Sequence, residues 1–542
     1  MSKRTKLPLD LWTALGAAVV SGLFYFLAFA GVDIWPLAFV AFVPLFVALE
    51  GQTPKRALWL GVVAGGTMNL AGFYWLVGML KTFSGFPTVI CLFFAAIVCA
   101  YQGGRIGTMT WLYARAQSRG WPKAPVAIFA FATSELLYPL LFPWYFAATV
   151  HTVPALTQTA DLGGPILVGI VLLGVNLAIV ELVVARMKAS TPNRRVVIGG
   201  GVGVALALVY GAIRIHMVDA ACATAEQVRV GVVQANMDLL GKRHDPGEGL
   251  RRHTKLTQEL KAKGVDFVVW SESSVTYATQ EKQAAYFMQN NVAGKMGIPM
   301  VFGAVLYRKG EDRTRFFNTA LSTDKDGKLT ARYDKHYLLA FGEYLPLGDT
   351  FPILYDWSPN SGKFSVGDTL DPLLVQTATG MHKVGMLICY EDILPTFTNA
   401  EVNASKPEML VNMTNDAWFG DTLEPWQHLA LAELRAIEHR RYLVRGTNSG
   451  VSAVVDPVGR VIAQSHPFRT EAIDASVRWL QLHTVYETVG EIPWYLMAAA
   501  VVAGCFVRRK SSTPAPEKPA PEPKKPEPAA DEASTEKDAA SE

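Results

Sequence analysis

Residues 383–392 read KVGMLICYED, an unbroken apolar run that ends in a thiol, Cys389, followed at once by Tyr390 and Glu391. A run this short and uninterrupted reads as a largely buried strand, and a side chain at the end of such a strand emerges into a crevice. Working outward, RVGVVQAN (229–236), DFVVWSES (266–273), PMVFGAVLY (299–307), EMLVNMTND (408–416) and YLVRGTNSG (442–450) have the same character. Charged amphipathic stretches, LRRHTKLTQELKAKG (250–264) and HLALAELRAIEHRR (428–441), lie between them and predict helices. Strands alternating with helices over residues 217–488 argue an α/β domain large enough for one substantial core.

The rest of the chain is different in kind. Its 542 residues are 50% hydrophobic and only 18% charged, and the mean hydropathy of +0.21 is too high for an ordinary soluble enzyme. Apolar stretches at 11–30, 34–49, 57–80, 87–113, 124–146, 164–185 and 196–216 precede the α/β domain and another, about 491–507, follows it. At 1.5 Å per residue each is read as a crossing of about 30 Å of hydrocarbon, the second being short. The expectation is a membrane domain of seven helices over 1–216, the α/β domain over 217–488, an eighth helix over 489–508 and a disordered Pro/Ala/Glu/Lys tail over 509–542.

Basic residues give the orientation. Lys3, Arg4 and Lys6, then Lys55 and Arg56, then Arg115, Arg119 and Lys123, then Arg186, Lys188, Arg194 and Arg195, and finally Arg508, Arg509 and Lys510 fall in alternate loops, while the intervening loops hold Lys81. The positive-inside rule then puts both termini in the cytoplasm and the α/β domain outside. Gly199–Gly201 and Gly203 open an apolar span with no strand before them, so they read as close helix packing, as do Gly61 and Gly65, and not as a dinucleotide loop. Arg105 and Glu135 are opposite charges at compatible depths; they either pair, or Arg105 reaches the headgroups while Glu135 is satisfied by Ser134 or Tyr138.

A net charge of +3 over so long a chain gives no basic footprint for nucleic acid. Five cysteines at unrelated spacings (Cys91, Cys99, Cys222, Cys389, Cys505), with no CxxC or HExxH, point to neither a disulfide scaffold nor a metal. What the α/β segment does offer is Glu272 after FVVWS, Lys335 after LTARYD and Cys389 after KVGMLI. Each has an ordinary reading by itself: a helix cap, a surface charge, an inert buried thiol.

In this order and with these neighbours the three resemble the nitrilase superfamily. WSES carries Glu272, YDKHYLLAFGEYLPLG (333–348) carries Lys335 and Glu343, and GMLICYED carries Cys389, Tyr390 and Glu391; NMTNDAWFG (412–420) follows. Together with the apolar stretches and FPWY at 142–145, the whole is similar to the membrane-bound apolipoprotein N-acyltransferase family. Ser271 departs from the family's usual Pro, and NMDLLGKRHD (236–245) from its usual Gln-rich segment.

The resemblance implies an α-β-β-α sandwich domain on an eight-helix bundle in a bacterial inner membrane. It implies a fatty acyl chain taken from a phospholipid through a Cys389 thioester and passed to the α-amino group of an S-diacylglyceryl cysteine on an apolipoprotein, with no cofactor. Glu272 would be the base, and Lys335 with the Tyr390 N–H would stabilise the oxyanion. Glu343 either positions Lys335 or the incoming amine, or is a structural ion pair, and Glu391 is a supporting residue. Trp418, Phe419, Phe341 and Tyr344 read as lipid-contact aromatics beside glycines, with Tyr355 and Trp357 as further loop tips. The alternatives are a Cys–His pair using His336 or His428, a membrane-bound amidase or nitrilase acting on a small molecule, a transporter, and a catalytically dead binding protein.

Overall fold

Backbone in hydrocarbon must pair its own N–H and C=O groups, which makes the apolar part of the chain helical. The computed structural model describes residues 7–237, 245–310, 314–340, 342–345, 347–357 and 361–509. Its helices are α1 (Leu11–Leu27), α2 (Val43–Ala48), α3 (Pro54–Gly72), α4 (Leu76–Ser84), α5 (Thr88–Ser118), α6 (Lys123–Leu137), α7 (Pro154–Thr157), α8 (Ala160–Lys188) and α9 (Arg194–Thr224), with a last apolar helix at Ile492–Phe506. The expected tail lies, from residue 510 on, outside the described residues.

Among the described residues, α5, α8 and α9 are long and apolar enough to cross a bilayer, and α3 and α4 pass the same test as a pair bent by 67°. The remaining apolar segments are shorter than the composition suggests. Pro36 and Pro44 each start a new short piece, so 34–49 is a helical turn (Trp35–Phe39) followed by α2. Segment 124–146 is helical only as α6; Tyr138, forced extended by Pro139, ends it, and the chain runs irregularly to Tyr145.

Small residues let the bundle close. A Cβ on Gly65 would lie 2.5 Å from the Gly103 carbonyl of α5, and one on Gly200 2.5 Å from the Gly174 carbonyl of α8. Of the glycines at 199–203 it is therefore Gly200 that makes the helix contact, while a Cβ on Gly199, Gly201 or Gly203 meets open space. Arg105 and Glu135 pair at 2.5 Å, buried, and the guanidinium also donates to the Trp144 carbonyl at 2.7 Å and the Tyr25 hydroxyl at 3.3 Å. Ser134 and Tyr138 bond elsewhere, to the carbonyls of Phe131 and Tyr101.

The α/β segment builds β1 (Gln227–Gln234), β2 (Phe267–Val269), β3 (Val275–Gln280), β4 (Met300–Lys309), β5 (Thr314–Thr323), β6 (Leu329–Asp334), β7 (Leu373–Gln376), β8 (Met381–Ile388), β9 (Met409–Thr414), β10 (Leu443–Thr447), β11 (Ala453–Val455), β12 (Val461–Gln464) and β13 (Glu471–Arg478). One sheet runs β13-β1-β2-β4-β5-β6, with β3 against β4, and the other β12-β11-β10-β9-β8-β7. Their centres, β1-β2-β4 and β8-β9-β10, are parallel, which is why those strands are apolar on both faces.

Val230, Val232, Phe267 and Val269 of the first sheet meet Val384, Met386, Val411 and Val444 of the second in a shared core. Helices Pro246–Ala262 and Glu281–Asn291 cover the outer face of the first sheet. Pro395–Ser405 and Glu424–His439 cover that of the second, completing an α-β-β-α sandwich. Helix Glu424–His439 is buried along nearly its whole length. Leu429, Ala432 and Ala436 face the sheet, while Ala430, Leu431, Leu434 and Ile437 join the core of the bundle. This helix joins the two halves of the molecule.

Candidate active site

The thiol stands where β8 stops. Cys389 begins a helical turn, Cys389–Ile393, with φ at +53°. That left-handed conformation costs a side-chain-bearing residue about 1–2 kcal/mol and persists only where its surroundings impose it. Glu391 imposes it from one side, its carboxylate accepting the N–H groups of Ile388 (2.7 Å), His336 (2.6 Å) and Tyr337 (3.0 Å) and the Tyr333 hydroxyl (3.0 Å). These bonds tie the nucleophile turn to the loop that carries Lys335. Burial nonetheless pushes the Glu391 carboxyl up to about 7. From the other side, the Asn412 amide donates to the carbonyls of Leu387 and Cys389 at 3.2 and 3.3 Å.

Lys335 follows β6, and its N–H donates to the carbonyl of Asn318 in β5. Its ammonium lies 2.7 Å from Glu343 and 3.5 Å from Glu272, and is itself 1% exposed. The Asn318 amide donates to both carboxylates, at 2.6 Å to Glu272 and 2.7 Å to Glu343, while the Leu339 N–H donates to the second oxygen of Glu343 at 2.8 Å. Gly303 lets the Glu272 loop settle on β4, since a Cβ there would lie 2.4 Å from the Ser273 nitrogen. Thus Glu272, far from the other two in sequence, forms one hydrogen-bonded group with Lys335 and Glu343.

Burial opposes charge on Lys335, but Glu343 and Glu272 outweigh it and hold the ammonium above the usual lysine range. Burial and Glu272 push the Cys389 thiol well up, against Lys335 and a hydrogen bond with Thr414. The arrangement therefore rests as thiol and ammonium, and needs a base to release the thiolate.

Beneath the turn lies a buried ion-pair cluster. Arg445 donates to Asp392 at 2.6 Å, to Asn412 at 2.8 Å and to Asp416 at 3.2 Å. His428 uses both ring nitrogens, 2.8 Å from Asp392 and 3.2 Å from Asp416, and against burial and Arg445 those carboxylates push it up to about 10. Asp392 belongs to the Cys389 turn and Asp416 to the next one, Asp416–Trp418, so the cluster fixes the two turns together. Asp416, Glu424 and His428 also bring one donor atom each within 4.8 Å of one another, a metal-like grouping where the sequence pointed to none, but Asp416 and His428 are already bonded within the cluster. With both nitrogens so used, His428 does not form the Cys–His pair; His336 packs its ring on Tyr333 and Phe397.

Cys389 opens on a mostly apolar pocket lined from both halves of the molecule. The bundle contributes Phe73 and Trp75 from the bend between α3 and α4, and Phe142, Pro143 and Trp144 from the irregular segment after α6. The sandwich contributes Leu339, Tyr390, Ile393, Phe419, Glu424 and Leu431, among others. The Tyr390 hydroxyl donates to the Leu141 carbonyl at 2.8 Å. Gln427 accepts from the Trp75 indole at 3.1 Å and donates to the Gly72 carbonyl at 2.9 Å.

Of the aromatics read as lipid contacts, Phe419 lines the pocket against Trp75, and Trp418 stacks on Phe83 of α4 at 4.3 Å. Tyr344 is exposed and outside the pocket lining, and Tyr355 lies under the Lys363 ammonium. Phe341 and the Trp357 side chain lie outside the described residues. Residue-by-residue reading missed Asn318 and the Arg445 cluster, although a lone arginine inside the buried strand YLVRGT is itself a signal.

Residues 229–488 match the carbon–nitrogen hydrolase family and residues 21–178 the apolipoprotein N-acyltransferase N-terminal domain. Among similar proteins, the apolipoprotein N-acyltransferase of Geobacter metallireducens is 28% identical over 91% of this chain and 95% of its own length. That of Pseudomonas putida is 28% identical over 88% and 93%. Among solved structures, Saccharomyces cerevisiae Nit3, a nitrilase-superfamily member, aligns with a TM-score of 0.36 at 18% identity, over 49% of this chain and 95% of that one. With both family models matched in this order, and relatives of one kind aligned along nearly the full length, the chain is similar over most of its length to the apolipoprotein N-acyltransferases.

Proposed function

We propose that the chain transfers a fatty acyl group from a membrane phospholipid to the free α-amino group of an S-diacylglyceryl cysteine, the last step of lipoprotein maturation. The observation that carries this reading is the pocket: Cys389 faces apolar walls supplied in part by the breaks between helices of the bundle. A tethered amidase for a small polar amide has no use for such walls.

In the first step the Glu272 carboxylate takes the thiol proton of Cys389 and the thiolate adds to an ester carbonyl. Lys335 and the Tyr390 N–H stabilise the oxyanion, a contribution of roughly a hundredfold per donor. The ester C–O bond then breaks, and the lysophospholipid leaves with the proton from Glu272. In the second step the uncharged amine adds to the thioester, Glu272 receives an amine proton, and the amide forms as Cys389 leaves and is reprotonated. Glu343 and Asn318 hold Lys335 and Glu272 in register throughout. Excluding water from the pocket is what separates transfer from hydrolysis.

The same reading has eight passes through the inner membrane, both termini cytoplasmic and the sandwich in the periplasm. It draws support from Glu50, which pairs with Lys123 and Lys188, and from Arg509, whose N–H donates to the Arg119 carbonyl. These contacts gather three of the basic loops at one end of the bundle, where the positive-inside rule wants them.

The test is mass spectrometry of the Cys389 peptide after incubation with phospholipid alone. An added acyl mass, removable by hydroxylamine, is expected; acyl on Cys222, or on no residue, overturns the reading. Glu272→Gln should abolish that mass while the protein still inserts in the membrane.

A further inference from the structure

Nearly every polar side-chain group around the pocket has a partner. Gln427 is bonded at both ends of its amide, His428 at both ring nitrogens, Trp75 to Gln427, and Tyr390 to the Leu141 carbonyl. Among the described residues, two buried atoms of lining side chains are left over, the indole N–H of Trp144 and Oε2 of Glu424. A buried polar atom without a partner costs about 1–3 kcal/mol, and here two belong to side chains that line one pocket beside the nucleophile. Trp144 is fixed, its ring stacked on Phe29 at 4.1 Å. Glu424 is fixed by its helix and has its other oxygen 3.7 Å from His428.

The chemistry of the pair selects its ligand. Indole is a donor only. Burial, reinforced by the neighbouring Asp416, holds the Glu424 carboxyl well above the usual carboxylate range, which favours the protonated form, and a protonated carboxyl donates as well. Two donors in apolar walls suit a group that only accepts and is joined to hydrocarbon. An alkyl chain alone leaves both atoms unpaired, and an ammonium brings only further donors.

Resting on the acyl-transfer reading, we propose that Trp144 and Glu424 form a clip for an ester carbonyl of a diacylglycerol moiety and make the site select ester-linked over ether-linked lipid. That moiety occurs both in the phospholipid donor and in the S-diacylglyceryl group of the acceptor.

Separate half-reactions with the purified full chain distinguish the two sources. Thioester formation on Cys389 is compared between a diester phospholipid and phospholipids carrying one acyl ester and one alkyl ether, in both positional isomers. Transfer from the preformed thioester is compared between diacylglyceryl and dialkylglyceryl lipopeptides. The native protein should prefer the ester by about tenfold in one half-reaction, which identifies the source. Glu424→Leu and Trp144→Phe should bring that ratio close to one, and Glu424→Gln, which keeps an N–H donor, should preserve it. Because the ratio is taken within each variant, partial loss of folded protein cancels. A native ratio near one in both half-reactions, or an undiminished ratio in Glu424→Leu, overturns the clip. Failure of the acyl-transfer reading looks different: no lipid of any kind then acylates Cys389.

Discussion

Asn318 carries no charge, yet two carboxylates close on its amide and its carbonyl receives the Lys335 N–H. It is the part of the site that keeps Glu272 and Glu343 from repelling one another around a single ammonium. Asn318→Ala should leave the sandwich folded and slow acyl-enzyme formation by about 10–100-fold, the range typical of residues that orient reacting groups. Rapid-quench measurement of the Cys389 thioester checks this; unchanged formation would mean that Lys335 alone suffices. Glu272, Lys335 and Cys389 stand out in the sequence because each ends a recognisable run and the three come in a known order. Asn318 sits mid-strand in RFFNTALST, where nothing local separates an amide that serves the site from one that merely satisfies the backbone.

Periodicity found the central strands β1, β2, β4, β8, β9 and β10, because strands buried on both faces are apolar without interruption. The charged amphipathic stretch at 428–441 is a helix as read, but its charged residues Glu433, Arg435 and Glu438 are paired inside the protein instead of facing water. The same reading drew 57–80 and 124–146 as straight spans. Hydropathy sums apolar content and is blind to a 67° bend or to a proline that stops a helix within an apolar run. The α3–α5 contact is equally a matter of shape: a methyl added at Gly65 would sit 2.5 Å from the Gly103 carbonyl, so a larger residue must part the helices. Gly65→Leu should destabilise the detergent-solubilised protein by roughly 3 kcal/mol or more, read as a fall in thermal midpoint, while Gly66→Ala, which meets open space, should change it little.

For the whole molecule, the decisive contacts run between the halves. His151, just beyond the irregular segment, lies 2.9 Å from Glu433 of the sandwich and 2.9 Å from Asp33 of the α1–α2 loop. Burial opposes its charge, but Glu433 and Asp33 push it up to about 10, above the ordinary 6.5. A raised histidine contributes stability fully below its unfolded value and loses it as pH rises through the folded one. His151→Gln should therefore lower the thermal midpoint by about 3–6 °C at pH 7, with the difference vanishing near pH 11. A difference constant across that range would assign the effect to packing. Composition alone separates an apolar half from an α/β half, but no spacing rule brings position 151 to 433. The two breaks that put Phe73, Trp75 and Phe142–Trp144 under Cys389 mean that the nucleophile's chamber has its floor made early in synthesis and its ceiling made late. A half-made chain thus lacks Cys389, and no acyl group can be loaded on that thiol before the second half of the chain is made.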